Sequence, residues 1–246
     1  MIAATVPNCR AYDPAFAFEL AVILDHGMRR MLEGGADEFY YITVMNENYA
    51  QPSLSVDAAA GIVKGLYRLT APASSRASLR LLGSGAILRE VMAACELLWR
   101  DWQISAEAWS ATSFSELARE ARKTQRWNRL HPQEPARRSY VAECLGGDTP
   151  IIAATDYVCA YPQSIAPYLD ARFVALGTDG FGRSDTRAGL RRFFEVDRHH
   201  ITVAALQALS QNGDAPPVIA AAAIERYGID TAACAPWLKS MPVRQR

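Results

Sequence analysis

RFVALGTDGFGRSDTR, residues 172–187, is the stretch on which the reading of this chain turns. RFVAL is short and apolar, which fits a buried strand. The residues at 177–187 hold three glycines, two aspartates, two arginines, two threonines and a serine around one aromatic, Phe181. The next residues, through FFEV, read as a helix. A glycine-rich turn between a strand and a helix lies at the carboxyl end of the strand, where open α/β sheets hold their ligands. Exposed backbone N–H groups and a helix start suit anions there. A plainer reading stands beside it: Gly177, Gly180 and Gly182 permit tight turns with positive φ. The residues of this stretch do not choose between the two.

Working outward, strands and helices alternate. Short strands are expected in GLYRL (65–69), ASLRLLGSG (77–85), SAEAWSAT (105–112), PIIAAT (150–155) and RFVALGTDG (172–180). Helices are expected at 86–102, at 113–130 with Ser113 and Glu116 as a capping box, at 136–146, at 156–169 despite Pro162, and in three further runs to residue 229. This alternation predicts a largely parallel sheet covered on both faces. The start of the chain fits less easily. VPNCRAYDP reads as a loop, and an apolar helix follows at 15–33, with Asp13 as N-cap, Pro14 at the first helical position and Gly34-Gly35 at its end. EFYYITVM (38–45) reads as a buried strand and 46–61 as a polar loop. One helix and one strand cannot bury each other. The unit either docks on the rest of the chain or belongs to a domain whose other half is elsewhere.

The 246 residues carry 26 acidic and 26 basic side chains, so nothing points to nucleic acid or an anionic membrane. Local basic pairs at Arg137-Arg138 and Arg191-Arg192, and the tail Arg244-Gln245-Arg246, read as solvated surface. Five scattered cysteines without a CxxC read as reduced thiols of a cytoplasmic protein. The four histidines lack metal-ligand spacing, so no metal site is expected. No apolar run reaches the ~18 residues that a membrane helix needs, and MIAATVPNCRAYDPAF lacks the basic and apolar regions of a signal peptide.

LRLLGSGAIL has the strand, GxG and helix of a dinucleotide fold, but Leu88 stands where the third small residue belongs and no acid follows the next strand. Gly83 and Gly85 therefore read as structural, and a dinucleotide oxidoreductase rests on GSG alone. Neither GxSxG nor GxxxxGK[ST] occurs. NENYAQP (46–52) sets Glu47 between two asparagines and near a phenol, after a strand. It suits an acid–base group if desolvated, or a polar connector between domains.

YYITVMNENYAQP, LLGSGAILREV, SFSELARE, RWNRLHP, TDYV and VALGTDGFGRSDTR with its FEVD occur here in this order. In that set the chain resembles the C-terminal part of the homodimeric, bacterial-type pyruvate dehydrogenase E1 component, from about Pro7 to past Gly213. The resemblance implies an α/β three-layer sandwich with a mostly parallel five-stranded sheet, like a transketolase C-terminal domain, preceded by a helix–strand remnant of another α/β domain. It places the end of the middle, pyrimidine-facing domain at 1–50, a linker at 51–65 and the C-terminal domain at 66–246, with no role assigned after about Gln211.

Such enzymes use thiamine diphosphate and Mg²⁺ to decarboxylate pyruvate, and then acetylate the lipoyl group of an E2 partner. The diphosphate-binding GDG motif is not in this sequence; TDG at 178–180 is not its equivalent. The resemblance therefore implies that this chain alone binds no cofactor and is inactive. It would supply part of a homodimer core and the active-site entrance, alongside the remaining E1 domains or subunit. Asn46, Glu47, Tyr49 and Gln51 are the candidate lining residues. Some relatives carry a substrate-reaching histidine directly after NENY, where this chain has Ala50. Asp179, Phe181, Arg183, Ser184 and Asp185 form the candidate entrance or interface loop, with Asp179, Arg183 and Asp185 expected to pair with one another. A stand-alone, non-catalytic assembly or binding module derived from the same domain is the alternative.

Overall fold

The computed structural model describes residues 2–53 and 58–238. Part of the expected linker and the basic tail at Arg244 and Arg246 lie outside the described residues. A short helix α1 (Ile2–Thr5) leads into strand β1 (Cys9–Tyr12), helix α2 (Ala17–Met28) and strand β2 (Phe39–Ile42). Then come α3 (Ala58–Lys64), β3 (Tyr67–Thr70), β4 (Leu79–Gly83), α4 (Leu88–Trp102), β5 (Ala106–Ser110), α5 (Phe114–Leu130) and α6 (Tyr140–Leu145). The chain continues through β6 (Ile151–Ala154), α7 (Ala160–Gln163), β7 (Phe173–Leu176), α8 (Arg187–Phe193), α9 (Arg198–Asn212) and α10 (Val218–Arg226).

The five-stranded sheet has the order β3-β5-β4-β6-β7, with β3 antiparallel and the rest parallel. The period of two along each strand divides the core into layers. Leu79 and Leu81 of β4 and Ile152 and Ala154 of β6 face one cluster with α4 and α9. Leu82, Ile151 and Ala153 face the other, with α5 and α6. This is the three-layer α/β arrangement that the alternating pattern predicts. From β4 the chain moves outward to β5, then returns past β4 to β6 and β7. The carboxyl ends of β4 and β6 therefore diverge and leave a crevice between their loops. Gly83, at the end of β4, lets α4 approach the strand closely: a Cβ there would sit 2.6 Å from Leu88 Cα.

The start of the chain departs from expectation in several ways. CRAY is not loop but strand β1, paired in parallel with β2 from Cys9↔Phe39 to Tyr12↔Ile42. Its partner lies some thirty residues away, so no local signal marks it. β2 is not buried on both sides, since Phe39 is 49% and Tyr41 53% exposed. Residues 58–64 form α3, which begins inside the loop expected at 46–61. Asp13 does not cap α2. The N-cap is Phe16, and the Glu19 carboxylate accepts from the Ala15 and Phe16 N–H groups. Asp13 instead accepts from the hydroxyls of Thr43 (2.7 Å), Tyr157 (2.8 Å) and Tyr161 (3.3 Å). Around Pro162 the expected single helix is broken into α7 and a 3₁₀ turn at Ala166–Tyr168.

The helix–strand unit docks on the rest of the chain by directed bonds. Asp13 N–H donates to Thr112 O at 2.7 Å, and Gly85 N–H donates to Asp13 O at 3.0 Å. The Glu19 carboxylate also takes the hydroxyls of Tyr67 (2.7 Å) and Ser110 (2.6 Å). Glu38 pairs with Arg30 and with Arg10 (3.0 Å), and Arg10 reaches Glu116 of α5 at 2.7 Å.

Two outcomes are expected. Gly83→Ala should lower unfolding stability by about 1–3 kcal/mol, read in urea titrations, because neither Leu88 backbone nor strand can yield without cost. The Arg30 hydrogen bond, working against burial and aided by Arg10, lowers the Glu38 carboxyl from 4.5 to about 2. A depressed acid stabilises above its unfolded pKa and loses that contribution as protons bind to the folded state. Stability should therefore fall between pH 4.5 and about 2, and Glu38→Gln should flatten that part of the profile.

Candidate functional site

A cavity of about 700 Å³ opens at the carboxyl ends of β4, β6 and β7. Three segments far apart in sequence meet on it. The NENY segment contributes Asn46 and Glu47, the residues directly after GSG contribute Ala86 and Ile87, and the GTDGFGR loop contributes Thr178, Gly182 and Arg183. Asp156, Arg187 and Arg191 complete its polar lining, and Leu190, Phe194 and Val196 its apolar wall. Below it, Ser84 Oγ and Thr155 Oγ1 share a buried hydrogen bond at 2.8 Å, which ties the two diverging strand ends.

Glu47 is held by arginines. Arg89 donates to it at 2.7 Å, Arg191 at 3.1 Å, and Arg187 Nε lies 3.6 Å away. Arg191 also donates to Glu90 at 3.1 Å, and Arg198 reaches Glu90 at 2.9 Å. Burial alone pushes Glu47 up, but Arg89 and Arg191 outweigh it and leave the carboxyl below its ordinary value. Glu90 is likewise lowered: burial raises it, and Arg198 and Arg191 more than reverse this. A carboxylate held ionised in this way does not act as an acid near neutral pH. Asp156 is the contrary case. It is open to solvent at the cavity, yet the protein density around it raises its carboxyl. Its own backbone N–H and Arg191 lower it again, the Asp13 charge raises it, and the balance is upward.

The cavity takes in some of the sequence candidates and leaves others out. Asn46, Glu47 and Arg183 line it. Tyr49 and Gln51 lie beside it in a smaller cleft of about 170 Å³ that shares Glu47. Both are committed: Tyr49 donates to Ala15 O, and Gln51 accepts from Ala17 N–H and donates to Tyr49 O. Asp179, Arg183 and Asp185 do not pair with one another. Asp179 accepts from Cys159 N–H at 2.9 Å, Asp185 accepts from Thr186 N–H at 2.6 Å, and the Arg183 guanidinium lies 4.1 Å over the Phe193 ring. Each aspartate meets an unpaired backbone donor at a helix start before it can meet the arginine. Phe181 is 64% exposed, and Ser184 is exposed on the outside of the loop.

Arg89, Glu90, Asp156, Arg187 and Arg191 belong to the site without having been singled out by the sequence. Arg191, read there as surface, is only 13% exposed and is shared by two carboxylates. The spacing of Arg187 and Arg191 on one turn of α8 was the available signal. Arg187 also spans the cavity mouth, donating to Asn46 Oδ1 at 2.7 Å. Among the described residues no three His, Cys, Asp or Glu side chains gather as a metal site. Arg191→Met should cost about 2–4 kcal/mol in denaturant unfolding, because Glu47 and Glu90 lose a shared counter-ion. Adding Glu90→Gln should recover part of that loss.

Residues 65–197 match the family described as "Transketolase-like TK C-terminal domain", and residues 1–52 match "Pyruvate dehydrogenase E1 component middle domain". The pyruvate dehydrogenase E1 component of Pseudomonas aeruginosa is 52% identical over 233 residues, covering 94% of this chain and 26% of that protein. The Escherichia coli K12 component is 44% identical over 228 residues, covering 92% and 26%. The chain thus spans about a quarter of the length of the curated relatives it matches. Among solved structures, transketolase from Leishmania mexicana aligns with a TM-score of 0.61 at 16% identity, over 87% of this chain and 28% of that one, which is a likeness of fold. By its family match, its sheet order and its identity to these relatives, the chain belongs to the transketolase-like C-terminal domain family, in the form found in bacterial pyruvate dehydrogenase E1 components.

Proposed function

We propose that this chain serves as the C-terminal part of a pyruvate dehydrogenase E1 component, supplying part of a homodimer core and the entrance to an active site. Residues 1–50 would end the middle domain, 51–65 would link, and 66–246 would form the C-terminal domain. The observation that carries this reading is the convergence of NENY, the residues directly after GSG, and GTDGFGR on one cavity at the carboxyl end of the sheet. In the complete cytoplasmic enzyme, thiamine diphosphate with Mg²⁺ would decarboxylate pyruvate on the way from glycolysis, and the acetyl group would pass to lipoyl-bearing E2.

The residues of this cavity do not fit a magnesium diphosphate. Mg²⁺ needs hard oxygen ligands in near-octahedral order. Here both Glu47 oxygens are taken by Arg89 and Arg191, and the Asn46 amide oxygen by Arg187, which leaves Asp156 as the one remaining carboxylate of the lining, too little for such a shell. This chain therefore supplies no chemical step of that reaction. Its residues shape and charge the entrance, and the chain alone is inactive. The outward face of β2, with Phe39 and Tyr41 exposed, suits cover by the remaining E1 domains.

Calorimetric titration of the purified chain with thiamine diphosphate and Mg²⁺ should give no saturable heat, and the chain should not decarboxylate pyruvate. Saturable binding at micromolar concentration would overturn the assignment of cofactor binding to residues outside this chain. Sedimentation of the same sample separates the alternative. The E1 reading expects self-association through the exposed β2 face, whereas a monodisperse monomer favours a stand-alone module.

A further inference from the structure

We infer that the crevice between the diverging ends of β4 and β6 is itself a small-molecule site, and that it takes an organic anion with a short apolar body, its head on Arg183 and Arg187. The site shares the cavity assigned above to the entrance, but it rests on this chain's own residues and does not require the E1 reaction.

Three observations converge on it. The first is topological. In open α/β sheets the carboxyl ends of two adjacent strands whose connections leave in opposite directions form a ready-made binding crevice. Here those strands are β4 and β6, and the cavity lies over the turns that follow them. Its volume, about 700 Å³, falls within the range of small-molecule pockets.

The second is charge. Arg89, Arg191 and Arg198 neutralise Glu47 and Glu90 within the wall. Arg183 and Arg187 stand at the mouth with donors to spare. Arg183 has no carboxylate partner among the described residues; it lies flat on the Phe193 ring. A guanidinium stacked on a ring keeps its in-plane N–H donors for a carboxylate or phosphate. Arg187 spends one Nη on Asn46 and lies 3.6 Å from Glu47, so further donors remain. Asp156 is the remaining acid of the lining, and it is open to solvent rather than turned against the two guanidinium groups by any ion pair among the described residues.

The third is the apolar wall. Ile87, Leu190 and Phe194 line the same space. A bare inorganic anion would leave that surface wet, while a short alkyl or aromatic body would cover it. Recognition therefore needs both parts of the ligand: a planar or tetrahedral anion for the two guanidinium forks and a hydrocarbon for the wall.

The test uses the full chain and four probes in calorimetry: hexanoate, hexyl phosphate, inorganic phosphate and 1-hexanol. At least one of the two hexyl anions should bind saturably, and which one binds identifies the head group. Inorganic phosphate and hexanol should each bind about ten-fold more weakly or worse, because each lacks one half of the recognition. Arg183→Ala/Arg187→Ala should weaken the hexyl anion by about ten-fold or more with unchanged thermal unfolding, since both side chains are exposed. Absence of saturable heat from both hexyl anions would overturn the inference. So would equal affinity in the double variant, or inorganic phosphate binding as tightly as hexyl phosphate. None of these results touches the thiamine diphosphate titration, so the two readings fail separately.

Discussion

The buried carboxylate of Asp13 is the point on which the rest of the structure depends. It is 5% exposed and takes three hydroxyl hydrogen bonds, from Thr43 after β2 and from Tyr157 and Tyr161 after β6. Its backbone extends the same junction, donating to Thr112 after β5 and accepting from Gly85 after β4. One residue thus fixes the ends of four strands relative to each other. Burial raises its carboxyl, and the three hydroxyls pull it back without restoring the ordinary value. A buried charge is tolerated only when its lone pairs are filled. Here filling them is what brings the NENY segment to the crevice.

The cavity follows from that junction and from an ionic wall. Glu47 would swing freely on an extended segment if nothing held it; Arg89 from α4 and Arg191 from α8 do so from two elements. Glu90, on α4 itself, ties the same Arg191 to Arg198 at the start of α9. Exposed ion pairs contribute little to stability. These are mostly half-buried and share partners, so each arginine limits where the next carboxylate can sit. The wall is therefore tied from several elements, and the charges with donors to spare are those at the rim, Arg183 and Arg187.

The layered sheet was legible because it rests on local information. Period-two apolar runs such as Leu79, Leu81 and Ile152, Ala154 mark strands whichever partners they find. Ser113 caps α5 as read, accepting from Glu116 N–H at 3.1 Å, although the Glu116 side chain turns away to Arg10. The site was legible in part. Asn46, Glu47 and Arg183 were picked from sequence and share the cavity, while Tyr49 and Gln51 are spent on holding the start of α2.

By itself, the sequence determined the class of fold, the strands and helices of residues 65–226 apart from the run broken around Pro162, and the family, because patterning and motifs act over a few residues. Only the tertiary structure decided that CRAY is a strand, that Asp13 serves a hydroxyl cluster rather than a helix cap, and that Arg191 is a half-buried counter-ion shared by two carboxylates. Each of those outcomes depends on a partner between about 30 and 150 residues away. A short polar segment satisfies its hydrogen-bonding groups equally well in water or against such a partner, and nothing within the segment records which.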